Sequence, residues 1–172
     1  MAASPADLFA FLDQLEIPYS TVSHPPLFTV EQSRELRGKI PGGHTKNLFL
    51  RDKRGAYYLI VADEEATIDL KGLHRRMGAS GRFSFGSAGA LQELLGVEPG
   101  SVTPFGAIND VSGKVTVVLD APMLAHELLN YHPLVNTMTT SIRREGLIRF
   151  LEACRHLPRI EAVSEGACQP SE

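Results

Sequence analysis

The apolar residues of this chain change their spacing several times between its two ends, and this alternation constrains the fold more than any other feature. Apolar positions recur at helical spacing in residues 8–15 and 147–154. Between them lie short β-type runs, of which residues 46–51, 57–62 and 115–119 are the strongest. Helices interleaved with strands, without an internal repeat, predict an α/β or mixed α+β domain built around a mixed sheet.

The length and composition of the chain predict one compact domain. Its 172 residues are 43% hydrophobic and 22% charged, which is ordinary for a single globular core. We place the domain at residues 1–160 and expect residues 161–172 to form a flexible tail. There is no apolar run long enough to cross a bilayer, and the N-terminus lacks the pattern of a secretory signal. Two cysteines, Cys154 and Cys168, are expected to be reduced thiols, which predicts a cytoplasmic location.

Basic residues are concentrated in one part of a chain whose net charge is −3. Residues 34–82 hold eleven of the seventeen basic side chains and six acidic ones, a local excess of five positive charges. A basic face on an otherwise acidic protein suits a polyanion that touches one side of the molecule. The alternative is that these basic side chains lie on the solvated faces of unrelated elements, because residues clustered in sequence are not always clustered in space.

Three polar segments are candidates for a functional site, and the first two contain glycines. In residues 42–50 a glycine loop leads into a strand, and Lys46 at its mouth could hold a phosphate or carbonyl oxygen as a point charge. The alternative is an ordinary surface lysine. In residues 98–106 the stretch from Gly100 to Pro104 could present backbone N–H groups to an ester oxygen or a ribose hydroxyl. The alternative is an irregular connection between a helix and a strand.

The third segment, residues 130–140, is rich in groups that both donate and accept hydrogen bonds. We expect it to lead into the last helix, which is predicted to begin at Ser141. His132 could act there as an acid, a base or a hydrogen-bond donor. A histidine that is hydrogen-bonded in a turn ahead of Pro133 is the alternative.

Several common catalytic motifs are absent from the sequence. It contains no nucleophile elbow, phosphate-binding loop, zinc-type histidine pair or Cys-x-x-Cys. The six histidines lack a metal-binding spacing, so we predict no metal and no cofactor. Cys154 shares an apolar helical face and is predicted to be packed instead of nucleophilic.

In their order and spacing, the three segments resemble the YbaK/ProX family of aminoacyl-tRNA deacylases, which includes the editing domain inserted in many bacterial prolyl-tRNA synthetases. The matching stretches are residues 43–50 (GHTKNLFL), residues 100–104 (GSVTP, the family's GxxxP loop) and residues 132–137 (HPLVNT). The resemblance runs from about Leu8 to Leu157. Within the family, the chain is most similar to the free-standing ProX type, which removes alanine from proline tRNA.

The resemblance implies a fold and a reaction. The fold is a mixed sheet that curls toward a barrel, with helices packed outside. The reaction is trans-editing: hydrolysis of the carboxylic ester of a mischarged proline tRNA, Ala-tRNA(Pro), by a positioned water. A ribose hydroxyl of the substrate would assist, and the protein would supply neither a covalent nucleophile nor a cofactor.

The resemblance also implies roles for residues of the three segments. Lys46 would engage polar or phosphate groups of the substrate, the Gly100 backbone would orient the ribose and the carbonyl, and His132 would hold the aminoacyl end or the terminal ribose. The surrounding residues that we expect to bind the substrate are Leu27, Phe28, Thr45, Asn47, Ser101, Val102, Thr103, Pro104 and Asn136.

The choice of amino acid depends on the volume of the pocket. An alanine-specific editor must exclude proline by size, because a pocket rejects a smaller side chain by only about 1–3 kcal/mol per methylene. Leu27, Phe28 and Val102 are the candidate walls of such a pocket. Cys-tRNA(Pro) or another aminoacyl-tRNA is the alternative substrate.

The implied partner is a mischarged tRNA, engaged at its acceptor stem and terminal adenosine. Lys53, Arg75 and Arg76 are the candidate contacts to the acceptor stem. Prolyl-tRNA synthetase and an elongation factor are candidate transient partners, and no membrane is expected. Two other classes stay open: a non-catalytic module that binds tRNA or a synthetase, and a small-molecule hydrolase that needs no RNA.

Overall fold

A computed structural model describes residues 1–26, 34–35 and 38–164 of the chain. The strands are β1 (Tyr19–Ser23), β2 (Gly43–Arg51), β3 (Tyr57–Asp63), β4 (Ser84–Phe85), β5 (Val115–Asp120), β6 (Leu128–Tyr131), β7 (Met138–Arg143) and β8 (Arg159–Glu161). The α-helices whose bounds lie wholly within the described residues are α1 (Pro5–Gln14), α2 (Leu73–Met77), α3 (Ala88–Leu95) and α4 (Arg144–Ala153). Three 3-10 helices span Pro99–Ser101, Pro104–Ile108 and Ala121–Ala125.

All eight strands belong to one mixed sheet in the order β1-β7-β6-β2-β3-β5-β8, with β4 added on β2. The β2–β3, β2–β4, β1–β7 and β6–β7 pairs are antiparallel, whereas β2–β6, β3–β5 and β5–β8 are parallel. Because β1 and β8 remain at the two edges of this order, the sheet stays open. The predicted class, a mixed α+β domain with a mixed sheet and packed helices, is confirmed.

Alternation along the strands gives the sheet two apolar faces. We call the face that carries Phe49 and Leu59 the inner face; it packs with α1, α3 and α4 in the larger core. The opposite face, which we call the outer face, carries Leu50 and Ile60 and packs against α2 in a smaller core. The beginning of β2, residues 44–48, is only half-buried, so its polar side chains remain partly open to solvent.

Two helices begin at serine residues whose side chains cap them. Ser4 begins α1 with a capping box, in which its Oγ accepts from the Asp7 N–H at 3.2 Å and Asp7 Oδ2 accepts from the Ser4 N–H at 2.9 Å. Ser87 caps α3 by accepting from the Ala90 N–H at 3.0 Å, and Gly96 ends that helix in the left-handed conformation. These caps fix where α3 ends and where the Gly100 segment begins.

The segment that contains Gly100 and Pro104 is partly helical, which the sequence pattern did not indicate. Pro99 and Pro104 each begin a short 3-10 helix, because the fixed φ of proline suits a first helical position. Phe105 is fully buried against the rings of Tyr131 and Phe150, at centroid distances of 5.9 and 5.3 Å. This aromatic cluster anchors the segment to the core.

The last helix begins at Arg144 and not at the predicted Ser141. Residues 138–143 form a central strand, because β7 pairs with β6 on one side and with β1 on the other. The polar sequence concealed this strand: Thr139, Thr140 and Ser141 are all buried, and hydrogen bonds satisfy their hydroxyl groups.

The packed part of the chain continues past residue 160. Strand β8 pairs with β5, and Val163 and Ser164 are buried. Asp120 Oδ1 accepts hydrogen bonds from both of their N–H groups, at 2.9 and 3.3 Å. Residues 165–172, the remainder of the predicted tail, lie outside the described residues.

Among the described residues, no helix combines the length and apolar character needed to cross a bilayer.

Candidate functional site

The first and third polar segments meet where β2 lies beside β6. Gly43 and His44 pair in parallel with Leu129 and Asn130, and Thr45 Oγ1 donates to the Asn130 carbonyl at 2.7 Å. Gly42, which precedes this ladder, has φ 101°, and a Cβ there would lie 2.8 Å from the Leu128 carbonyl oxygen. Glycine at this position therefore allows the approach of the two strands.

The second and third segments meet at Gly100. Gly100 is exposed, and a Cβ built on it would lie 3.4 Å from Asn136 Nδ2. It is the second residue of its 3-10 helix, a position whose N–H has no partner within the helix. The Gly100 backbone and the Asn136 amide thus form one polar junction at the surface.

The residues that follow Gly100 face the interior. Ser101 and Thr103 are buried, and Thr103 Oγ1 accepts from the Phe105 N–H at 3.2 Å. Pro104 is also buried, whereas Val102 is half-buried. Ser101, Thr103 and Pro104 hold the segment in place, and Gly100 and Val102 are the parts of it that a ligand can reach.

The first and second segments meet in a pocket of about 260 Å³. We call it the Asn47 pocket; its lining residues are Asn47, Phe49, Phe85, Gly86, Ala88, Leu91, Pro99 and Val102. Asn47 Oδ1 is buried and has no hydrogen-bond partner among the described residues. An unsatisfied polar atom in an otherwise apolar pocket is a candidate contact for a ligand.

His132 lies just after β6 and is held by one ring nitrogen. Its Nδ1 donates to the Met138 carbonyl at 3.0 Å, and the ring of His24 lies 6.4 Å away between centroids. Burial lowers the pKa of His132 below the usual value of 6.5, and the nearby His24 lowers it further. The hydrogen bond to the Met138 carbonyl raises this pKa and offsets part of the effect. His132 is therefore neutral at pH 7, with Nε2 available as an acceptor.

Lys46 lies on the outer face, because neighbouring residues of a strand point in opposite directions and Asn47 lines the inner pocket. Its Nζ donates a hydrogen bond to the carbonyl oxygen of Ala66. Lys46 therefore faces away from the Asn47 pocket and toward the loop that follows β3.

Sequence reasoning missed a polar network on the outer face. Asn130 Oδ1 accepts from Ser141 Oγ at 2.5 Å, and its Nδ2 donates to the carbonyls of Pro41 and Gly43 at 3.0 and 3.2 Å. His24 Nε2 and Thr139 Oγ1 are 2.8 Å apart. No local pattern distinguishes these residues, because most of the contacts join positions more than eighty residues apart. The only local signal is the Pro25-Pro26 pair that follows His24, and it indicates only a turn.

The predicted tRNA contacts Lys53, Arg75 and Arg76 are exposed and lie in one region. Arg75 and Arg76 belong to α2, and the Lys53 N–H donates to the carbonyl of Ser80, shortly after that helix, at 2.8 Å. Arg76 Nη1 also donates to the Ala162 carbonyl at 3.0 Å. Part of the basic sequence span is therefore also a basic surface.

The remaining predictions concern a cysteine, two pocket walls and a metal site. The pKa of the Cys154 thiol is raised to about 12 by burial, so it is protonated at neutral pH, in keeping with a packed side chain. The candidate walls Leu27 and Phe28 lie outside the described residues. Within the described part of the chain, no group of three His, Cys, Asp or Glu side chains could hold a metal ion.

Comparison with known proteins identifies a family. A family model described as the aminoacyl-tRNA editing domain matches residues 24–150. Prolyl-tRNA editing protein ProX of Acetoanaerobium sticklandii is 36% identical over 147 residues, covering 85% of this chain and 89% of that protein. Prolyl-tRNA synthetase associated domain-containing protein 1 of Danio rerio is 35% identical over 165 residues, covering 92% of this chain and 89% of that protein.

A solved structure shows the same fold. The crystal structure described as that of a candidate trans-editing enzyme for prolyl-tRNA synthetase matches with a TM-score of 0.71 and 16% sequence identity. The match covers 96% of this chain and 100% of the other.

The protonation state of His132 can be measured directly. By long-range ¹H–¹⁵N NMR, His132 should be the neutral Nδ1–H tautomer at pH 7 and should titrate with a midpoint below 6.5. A charge on His24 disfavours the His132 imidazolium, so His24→Gln should raise that midpoint. The His132→Gln variant lacks this imidazole, so the resonance missing from its spectrum is that of His132. A parent midpoint at or above 6.5, or a lower midpoint in His24→Gln, contradicts this description.

Proposed function

The chain belongs to the aminoacyl-tRNA editing domain family, and from that membership we propose that it hydrolyses the ester of a mischarged proline tRNA, acting in trans. The names of the relatives in Acetoanaerobium sticklandii and Danio rerio support proline tRNA as the substrate. The observation that carries the proposal is that the three polar segments meet pairwise, at Thr45 with Asn130, at Gly100 with Asn136, and around the Asn47 pocket.

The chemistry needs positioned donors and acceptors and no side-chain nucleophile. The oxygen of a water molecule attacks the carbonyl carbon of the ester, and the bond from that carbon to the ribose oxygen breaks. The proton that the water loses passes to the leaving ribose oxygen through the neighbouring ribose hydroxyl, which releases the free amino acid. The Gly100 N–H and the Asn136 amide stabilise charge on the carbonyl and orient the ribose. A neutral His132 accepts a hydrogen bond through Nε2 from the ammonium group of the amino acid or from a ribose hydroxyl.

Lys46 contributes charge and not a covalent bond in this mechanism. An ammonium group has three donors, and one of the three is used by the Ala66 carbonyl. The others can hold a phosphate of the tRNA terminus. A fixed hydrogen bond at the base of such a contact reduces the conformational entropy that binding would cost.

Alanine is the proposed amino acid, with cysteine and serine as the alternatives. Exclusion of proline requires a pocket smaller than a proline ring, and Leu27, Phe28 and Val102 are its proposed walls. A panel of proline tRNAs charged with alanine, cysteine, serine or proline tests this directly. We expect alanine to be released fastest and proline to be retained. No release above the spontaneous rate from any of the four would favour a non-catalytic binding module.

Replacement of Gly100 by alanine tests the proposed junction while leaving the fold unchanged. The added Cβ would lie 3.4 Å from Asn136, an ordinary contact, so the protein should remain folded. The methyl group occupies the space next to the Gly100 N–H, and we expect kcat/KM for Ala-tRNA(Pro) to fall about 10- to 100-fold.

Gly89→Ala is the matched control, since Gly89 is an exposed helical glycine and a Cβ there meets only Ser87 Oγ at 3.9 Å. The control should deacylate like the parent. Equal rates for Gly100→Ala and the parent would remove the Gly100 backbone from the proposed centre.

The proposed tRNA contacts should show in the dependence of binding on salt. Each basic side chain that neutralises a phosphate contributes a slope of about one to log K against log salt concentration. We therefore expect Arg75→Gln combined with Arg76→Gln to weaken tRNA binding and to reduce the slope by roughly two. Arg155→Gln, an exposed basic residue outside the 34–82 span, is the control. An unchanged slope in the double variant would remove Arg75 and Arg76 from the interface.

A further inference from the structure

The Asn47 pocket has no role in the reaction described above. We propose that it binds the adenine ring of the terminal adenosine of the tRNA, with Asn47 contacting the edge of the base and Phe85 its face. This assignment rests on the proposed function, because it requires a tRNA end at the Gly100 junction. The argument uses the volume of the pocket, its one polar atom, its aromatic walls and its position.

The volume favours a base over the amino acid. The pocket encloses about 260 Å³. A methyl group or a water needs roughly a tenth of that space or less, so the pocket would admit proline as readily as alanine and could not be the selective one. Sites for small ligands begin at about 300 Å³, and a planar bicyclic heterocycle matches the lower end of that range.

The polar chemistry matches adenine. Asn47 Oδ1 is buried without a partner among the described residues, in a pocket otherwise formed mainly by apolar side chains. Burying a polar group without a hydrogen bond is costly, and a ligand that supplies a donor removes that cost. The exocyclic amino group of adenine is such a donor, with a ring nitrogen acceptor beside it, and an asparagine amide can bond to both.

The aromatic walls are arranged for stacking. Phe49 is held in place because its ring is stacked on Tyr57 at 5.2 Å and 7°, while a Cβ on Gly86 would lie only 2.3 Å from the ring. Phe85 is 64% exposed, which is unusual for a phenylalanine and leaves its ring free to stack on a ligand. Stacking of a base on an aromatic side chain is a general means of holding an unpaired nucleotide.

The position of the pocket connects it to the reaction. Pro99 and Val102 are two of its walls, and Gly100 lies between them in the chain with Asn136 against it. A base in the pocket therefore places the attached ribose at the Gly100 junction, where the ester must be for hydrolysis.

Binding of an uncharged RNA hairpin with the proline acceptor stem tests the assignment independently of hydrolysis. One hairpin ends in adenosine and the other in purine riboside, which lacks the amino group. The parent should bind the purine hairpin about 5- to 20-fold more weakly, and Asn47→Ala should bind both hairpins equally. Phe85→Ala should weaken both about tenfold. Leu157→Ala, which removes an exposed apolar side chain outside the pocket, should change neither.

Equal binding of the two hairpins by the parent, or persistent discrimination by Asn47→Ala, would overturn the assignment. So would unchanged binding by Phe85→Ala. Release of alanine from Ala-tRNA(Pro) is measured separately on the same proteins. If the parent deacylates but does not discriminate between the hairpins, the adenine assignment is wrong and the proposed function stands. If the parent discriminates but does not deacylate, only the proposed function is wrong.

Discussion

The two halves of the sheet meet in only two residue pairs, where Gly43 and His44 of β2 run parallel to β6. So short a ladder needs side-chain support, and the buried amide of Asn130 supplies it by donating to the carbonyls of Pro41 and Gly43. Gly42 makes the approach possible, since any side chain there would collide with Leu128. This junction brings the first polar segment to the third. The candidate site depends on it, because without it the first polar segment would not meet the third.

The two faces of strand β2 also carry different candidate side chains. Asn47 opens into an apolar pocket on the inner face, whereas Lys46 lies on the outer face with the neutral His132 beyond the end of β6. In the proposed function, the substrate offers a flat aromatic base, a polar ester and charged phosphates to these surfaces. The Gly100 junction follows Pro99, a wall of the pocket, and is the proposed place at which the ester meets fixed donors. Preorganised groups of this kind can accelerate ester hydrolysis without a nucleophile.

Local sequence patterns predicted the parts of the fold that local interactions determine. The runs in β2, β3 and β5 form strands, and the helical spacing in residues 8–15 and 147–154 falls largely within α1 and α4. Strand β7 could not be predicted, because its buried hydroxyl groups have partners that are distant in sequence, such as Thr21 for Thr140 and His24 for Thr139. For the same reason, the place of Phe85 in the pocket could not be predicted, because Phe85 reaches the pocket only through the pairing of β4 with β2. The motif positions were predictable by resemblance, and strand alternation makes Lys46 and Asn47 point in opposite directions. Which of the two faces the apolar pocket is decided by the packing of the sheet against the helices.

The most direct test of the account is a crystal structure with 3′-alanylamino-3′-deoxyadenosine, in which a stable amide replaces the ester of the charged tRNA end. The account predicts that the carbonyl oxygen of the alanyl group lies within hydrogen-bonding distance of the Gly100 N–H, next to the Asn136 amide. It also predicts that Nε2 of His132 faces the amino group or the ribose. An alanyl group bound away from Gly100 and Asn136, or one held by a different set of segments, would contradict the account.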